Sequence, residues 1–331
     1  MKIILPVAGK GSRLRPQTHT KPKSLVHVAG KTVLRHIMDN LITLDAEQFI
    51  FIVDKNGPII EEYIKKNYPD INVAFILQQE MLGPAHAVWL AKSLFKKGDD
   101  MLIVFNDTMF VTDLTKIKSI CKDCDGLIYS KTVDDYKRFG VIVLDKNARI
   151  TKLVEKPTEP ISQLAQVGLY YLKDGLKFMD FIEYTIEHKM TVNNEYYLPN
   201  AFQLMIGKGM KLKAPEIDEW LDCGKPETLL ETNKYLLEHG NQKNVKGDNV
   251  TIIPPVYIED SATIKNSIIG PNVSISHNSR IINSIIKNSI IDNDTVIEDS
   301  FLDHSLIGSY AVVKSAPKRL NVGDNSEIHY N

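Results

Sequence analysis

Residues 1–25 read MKIILPVAGKGSRLRPQTHTKPKSL, an aliphatic run that breaks into a loop rich in glycine and positive charge. The run over residues 2–7 is short and β-branched, which predicts a buried strand, and Gly9 and Gly11 predict a tight turn after it. Glycines at such a turn let backbone N–H groups approach an anion closely. The turn is followed by four cations, Arg13, Arg15, Lys21 and Lys23. Together these features predict a phosphate-handling site, with a solvated basic loop as the plainer alternative.

The chain has 331 residues and a formal net charge of −1. That length suffices for a main domain with a large core and a smaller second domain. Because there is no basic excess overall, the charge of the first loop is local, and we expect a small anion rather than nucleic acid as its partner. No apolar stretch approaches the ~20 residues of a membrane span, and Pro6 and Gly9 interrupt the first run too early for a signal peptide. We therefore expect a cytoplasmic protein without a membrane partner.

The three cysteines are too few for a disulfide framework. Cys121 and Cys124 form one C-x-x-C pair. Zinc needs four ligands and no second pair lies nearby, so the sequence does not favour a metal or redox role for them.

Strand and helix patterns alternate over the first third of the chain. Strands are predicted over residues 49–53, 73–77 and 101–105, and helices over 33–41, 59–68 and 84–95, the first of them capped by Thr32. This alternation predicts an α/β fold, a Rossmann-like sheet that is mainly parallel and has flanking helices. Ligands bind outside the carboxyl ends of the strands in such sheets, and Gly9, Gln78 and Asp107 should share that edge because each follows a strand.

Asp107 follows the apolar run M-L-I-V-F within the sequence N-D-T. A carboxylate at this edge of the sheet, facing a polyphosphate, is well placed to hold Mg²⁺ through one oxygen. A turn or helix cap is the other role open to it.

From Gly126 the pattern changes to shorter strands, which suggest antiparallel pairing over the site. These strands are predicted over residues 127–131, 141–144, 150–154 and 167–171. Two helices are predicted after them, over residues 176–188 and 195–206, and a third begins at Pro226.

The last 80 residues carry a different pattern. The tetrapeptide N-S-I-I occurs at Asn266, Asn283 and Asn288, and one aliphatic residue recurs at every fifth or sixth position. The recurring residues are Ile258, Ile264, Ile269, Ile275, Ile281, Ile286, Ile291, Ile297, Leu302, Ile307 and Val313. A hexapeptide period predicts a parallel β-helix of about 18 residues per turn, and a sandwich of antiparallel strands fits less well because tight hairpin signals are missing. Residues 239–249 are polar and predict a linker between domains 1–238 and 250–331.

The first loop also carries the pattern G-x-G-x-R-x-x-P-x-T followed by P-K. It lacks the third glycine of a Rossmann fingerprint, where Leu14 stands, and it lacks the G-x-x-x-x-G-K-[ST] of a P-loop. The pattern resembles the signature of the sugar-1-phosphate nucleotidyltransferases, over most of residues 1–237. The β-helical tail resembles that of the long glucose-1-phosphate thymidylyltransferases and uridylyltransferases, which implies a left-handed β-helix.

The resemblance implies a role for each matching residue. Arg13 would hold the leaving pyrophosphate, Lys23 would balance charge between the reacting phosphates, and Asp107 and Asp222 would bind Mg²⁺ as the catalytic metal. The residues implied to bind the nucleotide are Ala8, Gly9, Gly11, Ser12, Gln78 and Gly83. Those implied to bind the sugar phosphate are Gly140, Glu155, Lys156, Gly168 and Trp220.

The implied reaction is Mg²⁺-dependent transfer of a nucleotidyl group from a nucleoside triphosphate, dTTP or UTP by preference, to a sugar-1-phosphate such as glucose-1-phosphate. Pyrophosphate would leave without a covalent enzyme intermediate. One departure from the family pattern is the stretch over residues 197–200, YLPN, where many relatives carry a Thr-Asp pair.

Two other classes of function stay open. The first is a non-catalytic sugar-nucleotide sensor. The second is a hexapeptide acyltransferase, which needs a histidine base, and the repeats contain only His277 and His304. Since the ends and flank of a stacked rod can pair with another chain, we also expect a homo-oligomer assembled through the β-helix.

Overall fold

The structure, a computed structural model, describes residues 1–9, 11–243 and 248–315. Its internal contacts divide the chain into two compact units. The larger unit comprises Met1–Val26 and Lys31–Thr232, and the smaller comprises His27–Gly30 and the described residues from Asn233 onward. The domain boundary at residue 238 stays a prediction, and most of the C-terminal half of the predicted linker, residues 244–247, lies outside the described residues together with Lys10 and residues 316–331.

The larger unit is built from alternating strands and helices. Its strands are β1 Lys2–Pro6, β2 Gln48–Val53, β3 Val73–Leu77, β4 Met101–Val104, β5 Thr108–Val111, β6 Gly126–Thr132, β7 Gly140–Leu144, β8 Ile150–Glu155, β9 Leu164–Leu172, β10 Leu212–Lys213 and β11 Glu219–Asp222. The helices are α1 Val33–Leu41, α2 Gly57–Asn67, α3 Pro84–Trp89, α4 Ile117–Ile120, α5 Gly175–Glu187, α6 Leu198–Gly207 and α7 Pro226–Glu238, which continues into the smaller unit.

Nine of these strands form one mixed sheet, which confirms the predicted α/β class. Its order is β8-β7-β9-β4-β1-β2-β3, with β6 beside β9 and β10 beside β6. The pairs β1–β2, β1–β4 and β2–β3 are parallel. Strands β7, β8 and β9 pair antiparallel, as the shorter strand pattern predicted. Ile3, Ile4 and Leu5 of β1 are fully buried in the middle of this sheet, so the first loop begins at its centre.

Two helix ends differ from the prediction by three residues or more. α3 ends at Trp89 rather than residue 95, because i→i+3 hydrogen bonds from Leu94 and Phe95 close a separate 3₁₀ turn. α6 begins at Leu198 rather than residue 195, because Val192 and Glu195 pair with each other and Tyr197 is extended before the proline of the first turn. The predicted cap of α1 is confirmed, since the Thr32 hydroxyl accepts a hydrogen bond of 3.1 Å from Arg35 N.

The smaller unit contains a parallel β-helix, as predicted. Its short strands stack in parallel, and the recurring aliphatic residues face inward as one core. The N-S-I-I repeat explains the shape of the corner. Asn266 and Asn283 adopt φ of 48° and 50°, a left-handed conformation that asparagine tolerates, and their amides stack across 17 residues. A turn takes 17 or 16 residues rather than about 18, since each turn combines gaps of five residues with gaps of six.

Within the described ranges of the chain, no helix has both the length and the apolar character needed to cross a bilayer.

Candidate active site

The first loop is shaped by a glycine that no other residue could replace without strain. Gly11 has φ of 59°, and a β-carbon there would lie 3.0 Å from Lys23 Cβ. The Thr18 hydroxyl donates a 2.7 Å hydrogen bond to the Gly11 carbonyl, and Leu14 is fully buried beneath the turn. The hydrogen bond closes the loop on itself and the buried Leu14 anchors it, which fixes the direction of the residues between Gly11 and Thr18.

Lys23 and Arg13 converge on one carboxylate. Lys23 Nζ lies 2.7 Å from Asp107 Oδ2, and its side chain is only 8% exposed. Arg13 Nη2 lies 4.0 Å from the same oxygen, but that side chain is 61% exposed. Lys23 is thus a fixed, buried charge, whereas Arg13 is open to an incoming anion.

Asp107 and Asp222 are brought together by a two-stranded ribbon that the sequence did not reveal. β5 and β11 pair antiparallel, with Thr108 opposite Asp222, and Cys223 N donates to the Asp107 carbonyl over 3.2 Å. Asp222 Oδ1 accepts a 2.7 Å hydrogen bond from Gly224 N. The two acids therefore lie at neighbouring positions of one ribbon, at the carboxyl end of β4.

Two cavities open on this edge of the sheet and share the wall formed by Pro84, Phe105 and Asp107. The first encloses about 420 Å³ and is lined by four of the predicted nucleotide residues, Ala8, Gly9, Gln78 and Gly83. The second encloses about 520 Å³ and is lined by Arg13, Asp222 and all five predicted sugar-phosphate residues, Gly140, Glu155, Lys156, Gly168 and Trp220. Of the predicted residues, Gly11, Ser12 and Lys23 line neither cavity.

The wall of the second cavity is tightly packed at Gly140. A β-carbon there would lie 2.5 Å from Gln166 Nε2 and 2.8 Å from Glu155 Oε2, so a side chain would displace both polar groups. Desolvation by this wall raises the pKa of Glu155 above its ordinary 4.5, and the neighbouring Lys156 opposes the shift. Lys156 has φ of 44° and donates its N–H to the Phe139 carbonyl, which holds the end of β8 against the strand before it.

A sequence profile described as Nucleotidyl transferase matches residues 1–239. The chain belongs to the nucleotidyl transferase family. This assignment confirms the resemblance of the first loop and of the segments that follow it to sugar-1-phosphate nucleotidyltransferases.

Relatives of this nucleotidyl transferase include two proteins from Haloferax volcanii. It is 31% identical to the UTP–glucose-1-phosphate uridylyltransferase AglF, over 73% of this chain and 99% of AglF. It is also 31% identical to the low-salt glycan biosynthesis nucleotidyltransferase Agl11, over 99% of both chains. The bifunctional protein GlmU of Methanocaldococcus jannaschii is 35% identical over 79% of this chain, but the match spans only 61% of GlmU. A crystal structure of UDP-glucose pyrophosphorylase with UDP-glucose aligns over 72% of this chain with a TM-score of 0.63 and 20% identity, which shows a shared fold.

Sequence reasoning missed several residues that line the second cavity of this nucleotidyl transferase. Gln166 Oε1 and Trp220 Nε1 are both buried there, and within the described residues neither has a hydrogen-bond partner. Trp220 was predicted from its motif, whereas Gln166 was not, although its position two residues before Gly168 on β9 could have indicated it. Such orphaned polar atoms are costly in a folded protein unless a ligand satisfies them. Other lining residues that were missed are Arg138, Tyr197 and Lys225.

Among the residues that the structure describes, no group of three or more His, Cys, Asp or Glu side chains is arranged to hold a metal. Mg²⁺ nevertheless needs only one or two protein carboxylates when substrate phosphates and waters complete its shell. Asp107 and Asp222 fit that requirement, because both are carboxylates that line the second cavity and Asp107 already attracts the Lys23 ammonium.

Proposed function

We propose that this chain transfers the nucleotidyl group of a nucleoside triphosphate to a sugar-1-phosphate and releases pyrophosphate. UTP or dTTP is the preferred donor and glucose-1-phosphate the expected acceptor. The observation that carries the proposal is the pair of cavities that share Asp107, since two substrates held there would place their phosphates at the same wall. Because nucleoside triphosphates are available in the cytoplasm, a cytoplasmic location stays our prediction.

In this proposal, catalysis consists mainly of positioning and charge neutralisation. The sugar-1-phosphate oxygen attacks the α-phosphorus in line, and no side chain forms a covalent bond. Arg13, open to the cavity, binds the leaving pyrophosphate, and Lys23 holds positive charge next to Asp107. Mg²⁺ held by Asp107 and Asp222 would supply Lewis-acid polarisation of the α-phosphate when bound.

In this proposal, the sugar is recognised by the buried polar atoms of the second cavity that have no hydrogen-bond partner among the described residues. Gln166 Oε1 can only accept a hydrogen bond and Trp220 Nε1 can only donate one, so together they fit a sugar hydroxyl pattern that offers both. Glu155 adds a carboxylate acceptor on the same wall. Because Gln166 Oε1 and Trp220 Nε1 are buried and have no hydrogen-bond partner among the described residues, a sugar missing the matching hydroxyl should bind far less well.

Lys156→Ala should raise the KM for the sugar phosphate about tenfold and change kcat little, because a contact that is equally strong in the ground and transition states affects only binding. Steady-state kinetics with varied sugar phosphate measures both constants. Lys152→Ala, a matched change at an exposed position of β8, the strand that ends just before Lys156, should leave both unaltered. A large fall in kcat with an unaltered KM would assign Lys156 to the reacting phosphates instead.

Donor preference is the sharpest test of the proposed reaction. Pyrophosphate release should be measured for UTP, dTTP, CTP, ATP and GTP against several sugar-1-phosphates, with and without Mg²⁺. We expect UTP or dTTP to give the highest kcat/KM, since the Gln78 segment resembles that of pyrimidine-specific relatives and an amide can pair with the pyrimidine imide. A purine donor with the highest kcat/KM would contradict the preference. Nucleotide binding without any turnover would favour the alternative function of a non-catalytic sugar-nucleotide sensor.

Assembly through the β-helix is proposed on the basis of an exposed apolar stripe. Ile268, Ile285 and Phe301 lie opposite one another on successive strands and are 36%, 44% and 64% exposed. A second copy of this stripe is the proposed occupant, because like stripes related by symmetry bury apolar surface without unpaired charge.

The double variant Ile285→Lys and Phe301→Lys should therefore lower the molar mass measured by light scattering, since like charges would face each other across the contact. Both side chains point away from the core, so the β-helix should still fold. Val312→Lys, at an exposed position on a different strand stack, is the control. Equal masses for the double variant and the unaltered protein would refute the role of the stripe.

A further inference from the structure

The orientation of one amide in the first cavity can be deduced from its neighbours. Gln78 lines the cavity, and its Nε2 lies 3.4 Å from the Gly83 carbonyl and 3.4 Å from Nδ1 of His86. A carbonyl oxygen only accepts hydrogen bonds, so the amide atom that faces Gly83 is the nitrogen. Oε1 is then the atom left for a ligand, and no donor in the described part of the chain contacts it.

The same geometry fixes the protonation state of His86. Nδ1 has to accept from Gln78 Nε2, so the ring is neutral and carries its proton on Nε2. Burial on α3 lowers the pKa of His86 below its ordinary 6.5, and Glu80 opposes the shift. On α5, the helix packed against α3, Asp180 and Glu183 both pair with Lys92 Nζ, and Glu183 also accepts from Trp89 Nε1.

We propose that His86 is a positioning residue that determines which amide atom of Gln78, the donor or the acceptor, faces the base of the bound nucleotide. By accepting from Nε2 it leaves the acceptor Oε1 of Gln78 to face the base. The site then selects a base with an imide N–H, such as uracil or thymine, and rejects cytosine, whose ring nitrogen at that position is itself an acceptor. The inference rests on the proposed function and deepens it. Uracil and cytosine have the same size, and at this ring position they differ only in whether the nitrogen donates or accepts a hydrogen bond.

Protonation of His86 should remove this selectivity. The imidazolium donates from Nδ1, so it requires the acceptor Oε1 of Gln78 as its partner. The Gly83 carbonyl still requires the donor Nε2. The two contacts then require opposite amide orientations. Since neutral His86 predominates above its pKa, which lies below the ordinary 6.5, the preference for UTP over CTP should be constant above pH 7 and should fall as the pH drops through that pKa.

The test compares kcat/KM for UTP and CTP from pH 5.5 to 8 in the unaltered protein, His86→Asn and His86→Leu. His86→Leu should lower the UTP-to-CTP ratio at pH 7.5 about tenfold, the effect of one hydrogen bond, with the change mainly in KM. His86→Asn offers an Oδ1 acceptor that does not titrate, so it should restore the ratio at pH 7.5 and keep it at pH 5.5. Equilibrium binding of UTP and CTP without sugar phosphate gives the same ratio independently of chemistry.

Three results would overturn the inference. They are an unchanged ratio in folded His86→Leu, a fall of the ratio in His86→Asn at low pH like that of the unaltered protein, and a preference of the unaltered protein for CTP. If the protein turns over UTP and any of these results is seen, the role of His86 is wrong while the proposed function stands. If no triphosphate is bound or turned over, the proposed function fails and the inference fails with it.

Discussion

Asp222→Asn should lower kcat about 10³-fold at saturating substrate while the protein stays folded. The amide oxygen of asparagine can still accept the hydrogen bond from Gly224 N, so the ribbon keeps its local structure. The variant loses one of the two carboxylate charges that line the second cavity, and charge stabilisation of a phosphoryl transition state is worth several kcal/mol. Asp107→Asn should give a loss of similar size.

Steady-state kinetics over a Mg²⁺ titration, together with a thermal melt, measures these effects. Asp107→Asn also removes the partner of a buried ammonium, so a lower Tm is expected for this variant and not for Asp222→Asn. Asp70→Asn, the same change at an exposed turn, is the matched control. A kcat close to that of the unaltered protein at saturating Mg²⁺ in either variant would contradict the assignment of the two acids as Mg²⁺ ligands.

Lys23→Met should lower kcat at least 10²-fold, the usual loss for one preorganised electrostatic contact. Methionine has a similar length and preserves packing against Gly11, so the substitution isolates the charge of a side chain that is only 8% exposed. The KM values for both substrates should change much less than kcat, because Lys23 lines neither cavity.

The matched control for this change is Lys66→Met, at an exposed position on α2. A variant of Lys23 that loses affinity for the triphosphate without losing kcat would place the lysine in substrate binding rather than in charge balance between the reacting phosphates.

The repeats show where sequence alone is sufficient. Each N-S-I-I unit specifies a local structure. Its asparagine takes the left-handed backbone conformation at a corner, and its serine is hydrogen-bonded to the next turn. Ser267 Oγ accepts from Ser284 N over 3.1 Å, and Ser284 Oγ accepts from Ser300 N over 3.2 Å. Because neighbouring turns repeat the same pattern, the period alone predicts both the inward residues and the way the turns stack.

The active site shows where sequence is insufficient. The pairing of Thr108 with Asp222 joins positions far apart in the chain, and neither four-residue strand has a pattern that identifies its partner. The proposed role of Gln166 depends on Oε1 having no hydrogen-bond partner within the part of the chain that the structure describes, which is a property of the folded wall. The motif resemblance divided the predicted binding residues into a nucleotide group and a sugar-phosphate group. Most residues of the first group line the first cavity, and the second group lines the second cavity.

In the proposed mechanism, two substrates meet at Asp107 and react directly. The most direct test is to mix the protein, in stoichiometric amount, with UTP and Mg²⁺ and to follow pyrophosphate with and without glucose-1-phosphate. The proposed mechanism predicts no pyrophosphate above background from UTP alone, and rapid release with formation of the nucleotide sugar once the sugar phosphate is present. A burst of one pyrophosphate per chain from UTP alone would reveal a covalent nucleotidyl-enzyme and would contradict direct transfer between the two cavities.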